Sequence, residues 1–432
     1  MEKIFTTLTL GCKVNQYETE AMSELFKKAG YRELRDEDPF ADIYLINTCT
    51  VTNLSDRKSR QMMRRAKKDN PNSVVAVVGC YSQVSPQEVS NLEEVDIVLG
   101  TKDRNRIVEY CEEFMNQREQ IVAVENIRTF REFEDIHIDT QEDMTRAYLK
   151  VQDGCNQFCT YCIIPFARGP VRSRTIEDAV NQARILAENG YQEIILTGIH
   201  IGSYGKDLQG VGLIDLIEEI AKIKEIKRIR LSSMEPHSID DEFMERAVAT
   251  KKLCDHFHLS LQNGSNRILN KMGRSYSKEE YLEKAKLIRK YMPDAGLTTD
   301  IIVGFPSETE EDFQETKKFV KEVGFSRIHV FKYSPRQGTK AAKMKDQIPG
   351  NIKKERSKEL MELGENIAHS FIDSQKGKSL AVLFEKQEDD GSFQGYTTNY
   401  IRVKTFSEKD LKNQVKHVKI VGQGSEPVQA LC

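Results

Sequence analysis

Short apolar segments and amphipathic stretches alternate along most of this chain. In its first part, the apolar segments are rich in β-branched residues, and the stretches between them repeat apolar positions at helical spacing. Because strands and helices that alternate in this way build parallel sheets with helices on their faces, we predict an α/β domain here. The predicted strands are residues 4–10, 43–47, 74–78 and 97–99, and the predicted helices are residues 18–28, 56–68 and 104–114.

The same alternation restarts at Arg146, after an acidic and aperiodic segment over residues 119–145 that we interpret as a linker with some extended structure. Six strands follow, with room for one helix in each gap. Six such units predict a partial, open (β/α)6 barrel, in which chemistry takes place at the C-terminal ends of the strands. The predicted strands are residues 147–151, 193–196, 228–232, 256–261, 297–303 and 328–333.

The pattern changes again near the end of the chain. A charged helix is predicted over residues 351–373, and short strands with polar turns follow at 380–384, 395–397, 401–404 and 417–421. Strands of this kind predict a small all-β barrel. The sequence therefore predicts four parts: an N-terminal α/β domain over 1–118, the linker over 119–145, the partial barrel over 146–372 and the small barrel over 373–432.

Composition excludes two classes of protein. The 432-residue chain has 64 basic and 67 acidic residues and a net charge of -3, so local patches, and not bulk charge, must bind any nucleic acid. No apolar run approaches the about 20 residues of a membrane span, and the N-terminus lacks the pattern of a signal peptide. We therefore expect a cytoplasmic protein that does not contact a membrane.

The densest group among the nine cysteines is Cys155-x3-Cys159-x2-Cys162, just beyond the first predicted barrel strand. In a reducing compartment, clustered cysteines are more often metal-binding or catalytic than disulfide-bonded. Three thiolates on one tight loop can hold three irons of a 4Fe-4S cluster and leave the fourth iron open for a substrate or cofactor. The alternatives are a zinc site, for which no nearby fourth Cys or His is present, and unliganded core cysteines.

Three more cysteines form a second group, although they are far apart in the sequence. Cys12, Cys49 and Cys80 each follow a predicted strand of the N-terminal sheet. The carboxyl ends of parallel strands are where ligand crevices form in open α/β sheets, so we interpret these cysteines as ligands of a second cluster. The alternative is buried core cysteines. The remaining cysteines belong to no motif and are interpreted as structural or incidental: Cys111, Cys254 and Cys432.

The Cys155 motif, with the aromatic Tyr161 directly before its last cysteine, resembles the signature of the radical S-adenosylmethionine superfamily. Residues 10–15, 47–51 and 79–81 resemble the methylthiotransferases, which are radical enzymes with two clusters, and the order of the predicted domains matches theirs over nearly the whole chain. The resemblance implies an N-terminal Rossmann-like parallel α/β domain, a central partial (β/α)6 radical-SAM barrel and a C-terminal small all-β barrel of the TRAM type.

The resemblance also implies two 4Fe-4S clusters and S-adenosyl-L-methionine as cofactors. The open iron of the Cys155 cluster would chelate S-adenosylmethionine, and one electron would cleave it to a 5′-deoxyadenosyl radical that removes a hydrogen from an unactivated carbon. The Cys12 cluster would carry the sulfur to be inserted, and a further cofactor molecule would methylate that sulfur. Cys155, Cys159 and Cys162 are thus the predicted catalytic residues.

Polar residues near the ends of the predicted barrel strands are the candidate contacts of S-adenosylmethionine. Where the superfamily often carries Gly-Gly-Glu, this chain has Thr197 and Gly198, so a carboxylate for the cofactor amine is missing there. Each candidate has an alternative as a helix cap or turn former, and Ser265 before a predicted helix fits an N-cap. The candidates are Tyr161, Thr197, Gly198, Ser233, Glu235, Gln262, Ser265 and Asp300.

The clearest local excess of positive charge lies on the helix after Cys49, whose N-terminus faces the first predicted cluster. A phosphate backbone would be steered there by these cations, although a solvated helix face is the alternative. The small barrel adds further cations, and its Tyr396 and Tyr400 would stack on exposed bases. The candidate RNA contacts are Arg57, Arg60, Arg64, Arg65, Arg402 and Lys404.

Residues 11–20 and 196–202 resemble the methylthiotransferase branch that acts on N6-threonylcarbamoyladenosine. The isopentenyladenosine branch typically has Gln and Met at the positions of Lys13 and Val14. The resemblance therefore implies methylthiolation at C2 of the threonylcarbamoylated adenosine at position 37, with the tRNA anticodon loop and an electron-donor protein as partners and no obligate protein partner. The alternatives are isopentenyladenosine, a ribosomal-protein aspartate, and a non-catalytic, metal-containing RNA-binding protein.

Overall fold

The structure is a computed structural model that describes residues 3–141 and 144–431 of the chain. Cys432, one of the cysteines without a motif, lies outside the described residues. The described chain forms a parallel sheet with helices, an open barrel and a closed β barrel, in the predicted order. No helix within these ranges has both the length and the apolar character that crossing a membrane requires.

The N-terminal domain is built on a sheet of parallel strands. The strands are β1 (Ile4–Thr9), β2 (Arg32–Glu33), β3 (Ile43–Thr48), β4 (Val74–Gly79), β5 (Ile97–Leu99) and β6 (Ile121–Ala123), and the helices are α1 (Lys13–Lys28), α2 (Asn53–Asp69), α3 (Cys80–Val84), α4 (Pro86–Ser90) and α5 (Ile107–Gln117). The strand order is β2-β1-β3-β4-β5-β6. Strands β3 and β4 are buried along their whole length because helices cover both faces, which explains the apolar runs at residues 43–46 and 74–78.

The sheet extends beyond residue 118, where the sequence analysis ended this domain. Strand β6 lies in the predicted linker and pairs in parallel with β5 as the edge strand. It has only three residues, none of them buried, so its sequence carries no periodic signal. Helix α1 begins at Lys13, directly after Cys12, and α2 begins at Asn53, where the Thr52 hydroxyl accepts a hydrogen bond from the Ser55 amide at 3.2 Å.

The central barrel contains the six predicted parallel strands. The strands are β7 (Arg146–Asp153), β8 (Arg172–Ser173), β9 (Glu193–Gly198), β10 (Arg228–Leu231), β11 (His256–His258), β12 (Gly296–Val303) and β13 (Arg327–Lys332), and the helices are α6 (Ile164–Arg168), α7 (Ile176–Glu188), α8 (Leu213–Ala221), α9 (Asp241–Ala249), α10 (Asn266–Met272), α11 (Lys278–Tyr291) and α12 (Glu310–Val323). The strands form two sheets, β10-β9-β7-β8 and β11-β12-β13, joined by single parallel bridges near β10. Strand β8, which was not predicted, runs antiparallel to β7 at one open edge.

The C-terminal part begins with α13 (Gly350–Ser374), which packs on β13 through Gly364 and Ile328. A closed barrel follows, made of β14 (Ser379–Gln387), β15 (Phe393–Thr397), β16 (Arg402–Thr405), β17 (Val415–Ile420) and β18 (Val428–Leu431). The unpredicted β18 closes this barrel by pairing in parallel with β16 and antiparallel with β17.

Buried arginines of β10 hold the small barrel against the central one. Arg228 and Arg230 both pair with Glu193 at 2.7 Å. The same guanidinium groups donate hydrogen bonds to backbone carbonyls of residues 396–398, at 2.9 to 3.1 Å. The orientation of the two barrels thus depends on directional, charge-assisted hydrogen bonds.

Candidate functional site

The Cys155 motif forms a loop between the end of β7 and the start of α6, at the C-terminal end of the barrel strands. The loop is pinned by backbone hydrogen bonds from Cys155 to the Gly169 carbonyl at 3.0 Å and from Thr160 to the Met272 carbonyl at 2.8 Å. Gly154 begins it with a φ of +74°, and a Cβ atom there would lie 1.8 Å from the Pro170 carbonyl oxygen. Only glycine therefore allows the loop to turn at this point.

The three thiols of this motif lie on this one loop, with Cys159 buried and Cys155 and Cys162 half-buried. Burial raises the pKa of Cys155 to about 11 and that of Cys162 to about 12, and repulsion from the neighbouring thiols adds to both shifts. Arg274, just after α10, donates a hydrogen bond from Nη1 to Cys159 Sγ at 3.3 Å. Three thiols on one loop, with a cationic donor beside one of them, favour a ligand that keeps all three sulfurs as thiolates.

The second group also converges, as predicted from the strand ends. Cys12 precedes α1, Cys49 follows β3, and Cys80 is the first residue of α3 after β4. A Cβ atom on Gly11, whose φ is +131°, would lie 3.2 Å from Cys49 Cβ, so the first two loops approach closely only because residue 11 is glycine. Burial raises the pKa of Cys80 to about 12, and the charges of Cys49 and Cys12 add to the shift.

Arg168 links the two groups of cysteines. It is the last residue of α6, the helix that begins two residues after Cys162, and it is fully buried. Its Nε donates to Cys80 Sγ at 3.2 Å, and its Nη2 donates to Asn15 Oδ1 at 2.7 Å and to Glu18 at 3.0 Å. The loop that carries one set of thiols is thus fastened directly to the loop that carries the other.

A buried network of charged groups surrounds Arg168. Lys150 donates to Glu18 and to Asp153, both at 2.6 Å, and Arg104 pairs with Glu18 at 2.5 Å. Burial alone would raise the pKa of Glu18, but Arg104, Arg168 and Lys150 lower it overall, so this carboxylate is ionised. Because the network joins α1 to β7 and α6, it fixes the N-terminal domain on the barrel.

Neither group of cysteines has the spacing of a single-ion site. A tetrahedral zinc ion, about 2.3 Å from each thiolate, needs its sulfurs about 4 Å apart. Over the described ranges, the one set of three ligating side chains with all ligand atoms within 4.8 Å of one another is Asp135, His137 and Asp178. A 4Fe-4S cluster places each thiolate on a different iron, so more widely spaced thiols fit a cluster better than zinc.

A cavity of about 1030 Å³ opens beside Cys12. Its wall includes the ends of β9 and β10, the three strands β11, β12 and β13, the start of α1, and Tyr400 of the small barrel. All three structured parts of the chain therefore contribute to it. The volume is sufficient for a ligand of nucleoside size. Four of the predicted cofactor contacts line it: Thr197, Gly198, Ser233 and Asp300.

The structure places the other cofactor candidates in different settings. Glu235 is buried and pairs with Arg274 at 3.0 Å, and Tyr161 packs edge-on against Phe305. Gln262 exchanges backbone hydrogen bonds with β12. Ser265 occupies the N-cap position of α10, but its hydroxyl donates to Asp312 at 2.7 Å and caps no amide, so the expected N-cap hydrogen bond was wrong.

The predicted RNA contacts divide into exposed and engaged side chains. On α2, Arg57, Arg64 and Arg65 are exposed, whereas Arg60 donates to the Tyr81 hydroxyl at 2.6 Å and to Glu88 at 2.9 Å. Arg402 and Lys404 are half-buried on β16. The rings of Tyr396 and Tyr400 stack on each other at 4.9 Å under Arg146, so their faces are already occupied by protein groups.

Sequence reasoning missed Arg168 and Arg274. Each donates to a cysteine sulfur, yet each lies in a segment without a recognisable motif. Arg168 and Cys80 are 88 residues apart, and Arg274 and Cys159 are 115 apart. The sequence feature that could have pointed to Arg168 is its position shortly after the Cys155 motif. No local sequence feature points to Arg274.

Two family models match the chain. Residues 149–320 match the radical SAM superfamily, and residues 4–100 match a family described as uncharacterized protein family UPF0004. Among solved structures, the radical S-adenosylmethionine methyltransferase TsrM of Kitasatospora setae is similar, with a TM-score of 0.56 and 14% identity over 78% of this chain and 77% of that chain. This likeness supports the fold of the barrel.

Curated relatives match over nearly the full length. The threonylcarbamoyladenosine tRNA methylthiotransferase MtaB of Bacillus subtilis (strain 168) is 45% identical over 96% of this chain and 93% of its own length, and that of Aquifex aeolicus (strain VF5) is 44% identical over 94% and 98%. The tRNA-2-methylthio-N(6)-dimethylallyladenosine synthase of Geobacillus kaustophilus (strain HTA426) is 37% identical over 96% and 80%. With its radical SAM domain and these relatives, the chain belongs to the radical S-adenosylmethionine tRNA methylthiotransferase family.

Proposed function

We propose that this protein inserts a methylthio group at C2 of N6-threonylcarbamoyladenosine at position 37 of tRNA, next to the anticodon, and that it holds two 4Fe-4S clusters. The observation that carries the proposal is that Arg168, at the end of the helix after the Cys155 motif, donates to Cys80 of the other group of cysteines, while Cys12 of that group lines the large cavity. The names of the relatives with 44 and 45% identity support this substrate.

Each group of thiols would hold one cluster, and the cavity lined by Cys12 would receive S-adenosylmethionine and the base. Bound there, these cofactors supply a carbon radical and the sulfur for insertion. The chain itself supplies orientation. Thr197, Gly198 and Ser233, at strand ends in the cavity wall, would donate hydrogen bonds to a bound cofactor. The exposed arginines of α2 attract the RNA backbone.

The partners follow from this chemistry. The anticodon loop of tRNA must enter the cavity with position 37, and an electron-donor protein must supply the electron for each cofactor cleavage. We propose no obligate protein partner apart from the electron donor, because the N-terminal domain, the central barrel and the small barrel together line the cavity.

The first test is anaerobic reconstitution with measurement of iron and acid-labile sulfide. About eight of each per chain are expected for two clusters, and about four would mean that one group of cysteines holds none. Zinc in place of iron would favour the RNA-binding alternative without catalysis.

The second test is mass analysis of nucleosides after incubation with S-adenosylmethionine and a reductant. A methylthio group is expected on the threonylcarbamoylated base of tRNA. A product on isopentenyladenosine, or on a ribosomal protein, would instead assign the chain to another branch of the family.

A further inference from the structure

We propose that Lys13 binds the carboxylate of the threonyl group on the substrate base and thereby selects this base over one with an uncharged N6 substituent. The inference rests on the proposed function and adds the residue that determines its specificity. It follows from the position of Lys13, from the absence of a counter-ion and from the groups around it.

Lys13 lies directly beside the first group of thiols. It is the first residue of α1, follows Cys12 in the chain, and lines the same cavity as Cys12. In adenine, C2 and the carbon that bears N6 flank the same ring nitrogen. A base with its C2 turned towards Cys12 therefore brings its N6 substituent close to the neighbouring residue. The positive end of the α1 dipole adds to the attraction for an anion at this position.

Lys13 has no counter-ion in the part of the chain that the structure describes: no carboxylate lies within ion-pair distance of its ammonium group, which lies 5.7 Å from the centre of the Tyr148 ring. The other cation of the cavity wall, Arg327, pairs with Glu426. Because a partly buried charge without a partner is unfavourable, an anionic ligand gains more here than at an exposed lysine.

The remaining charged groups of the cavity leave this role open. Asp300 lies 3.4 Å from His258, and Glu20 is seven residues along α1, about 10 Å from Lys13 at the helical rise. Burial lowers the pKa of His256 well below its usual value and also lowers that of His329, so both are neutral near pH 7. Within the described cavity wall, Lys13 is thus the basic side chain next to Cys12 and has no carboxylate paired with it.

The two kinds of base differ in the group that would meet Lys13. A threonylcarbamoyl group ends in a carboxylate, which completes an ion pair. A dimethylallyl group is a hydrocarbon, which would remove water from the ammonium group and offer no hydrogen bond in return. A site that is built for a polar partner rejects an analogue that lacks it, so one residue both attracts the correct base and disfavours the other.

The test compares two anticodon stem-loop RNAs that differ only in this group. One carries N6-threonylcarbamoyladenosine, and the other carries its threoninamide analogue, in which a neutral amide replaces the carboxylate. Binding to the cluster-loaded full chain is measured by fluorescence anisotropy. We expect the unchanged protein to bind the carboxylate RNA about ten- to hundredfold tighter, the range for a hydrogen bond between charged groups.

Lys13→Met should bind both RNAs equally, and Lys13→Arg should restore the preference for the carboxylate. Lys28→Met is the matched control, because it removes a lysine from the same helix that pairs with Asp139 at 3.0 Å and lies outside the cavity wall; it should keep the full preference. Since the readout is a ratio of two affinities within one variant, a general loss of affinity or of cluster content cancels.

A Lys13→Met protein that keeps the preference would overturn the inference, as would an unchanged protein that has no preference. The proposed function fails by a different result, namely no methylthio product on threonylcarbamoylated RNA with the unchanged protein.

Discussion

Removal of the Arg168 guanidinium is expected to lower the reduction potential of the cluster proposed on Cys12, Cys49 and Cys80. The Nε atom lies 3.2 Å from Cys80 Sγ, so its charge would lie about 5 Å from an iron on that sulfur. With an effective dielectric constant of about 20, one charge at this distance contributes about 3 kcal/mol, equivalent to about 140 mV for one electron. The Glu18 carboxylate pairs with the same guanidinium and offsets part of its charge. We therefore expect about half of this shift in the reduction potential of Arg168→Met.

The assay is a redox titration followed by electron paramagnetic resonance. It uses the full chain with Cys159→Ala, which removes one ligand of the other cluster so that a single cluster is observed. The loss of a positive charge and a donor favours the oxidised cluster, so the potential becomes more negative.

Arg172→Met is the matched control for this measurement. Arg172 is as deeply buried as Arg168 and lies 3.5 Å from Asp153 in the same network, but it donates to no thiol within the described residues. Both variants should be destabilised by about 3 kcal/mol, as for other broken buried ion pairs, and should unfold at lower guanidinium concentration. Equal shifts of the potential in the two variants, or no shift in Arg168→Met, would refute the reasoning.

Three further predictions follow from the site and its surroundings. Cys159→Ala should abolish cleavage of S-adenosylmethionine, whereas Cys49→Ala should keep cleavage and lose the methylthio product; liquid chromatography of deoxyadenosine and of nucleosides tests both. The exchange of Arg57, Arg64 and Arg65 for Glu should weaken tRNA binding and reduce its salt dependence, because these arginines are exposed. If the dependence of the affinity on salt concentration stays unchanged, these arginines belong to a solvated helix face and do not bind RNA. Burial opposes ionisation of Glu193, but Arg228 and Arg230 lower its pKa from 4.5 to about 2. Its contribution of about 3 kcal/mol is therefore complete above pH 4.5 and is lost as the pH falls towards 2. Acid unfolding followed by circular dichroism should show this loss in the unchanged protein and not in Glu193→Gln.

Local patterns in the sequence were sufficient for most of the architecture. Strands β1, β3, β4 and β5 of the N-terminal sheet and the six parallel barrel strands were predicted because apolar periodicity reports burial residue by residue. The strands that were missed from these two domains are short and lie at sheet edges: β6 has three residues, and β2 and β8 have two each. Strand β18 of the small barrel depends on pairing with β16, a partner that sequence alone does not reveal. Such strands form because an adjacent strand supplies hydrogen-bond partners for their backbone, and their own apolar periodicity does not predict them.

Sequence patterns were enough to single out both groups of thiols, because the Cys155 motif places three thiols on one loop and the strand-end cysteines share one edge of a parallel sheet. Only the tertiary structure decided how these groups are joined. Arg168 meets Cys80 across 88 residues of chain, and the cavity beside Lys13 is assembled from three separate parts. Contacts between distant segments depend on how whole domains pack, and a local sequence motif does not predict that packing. For this reason the thiols were predicted, and the arginines that contact them were not.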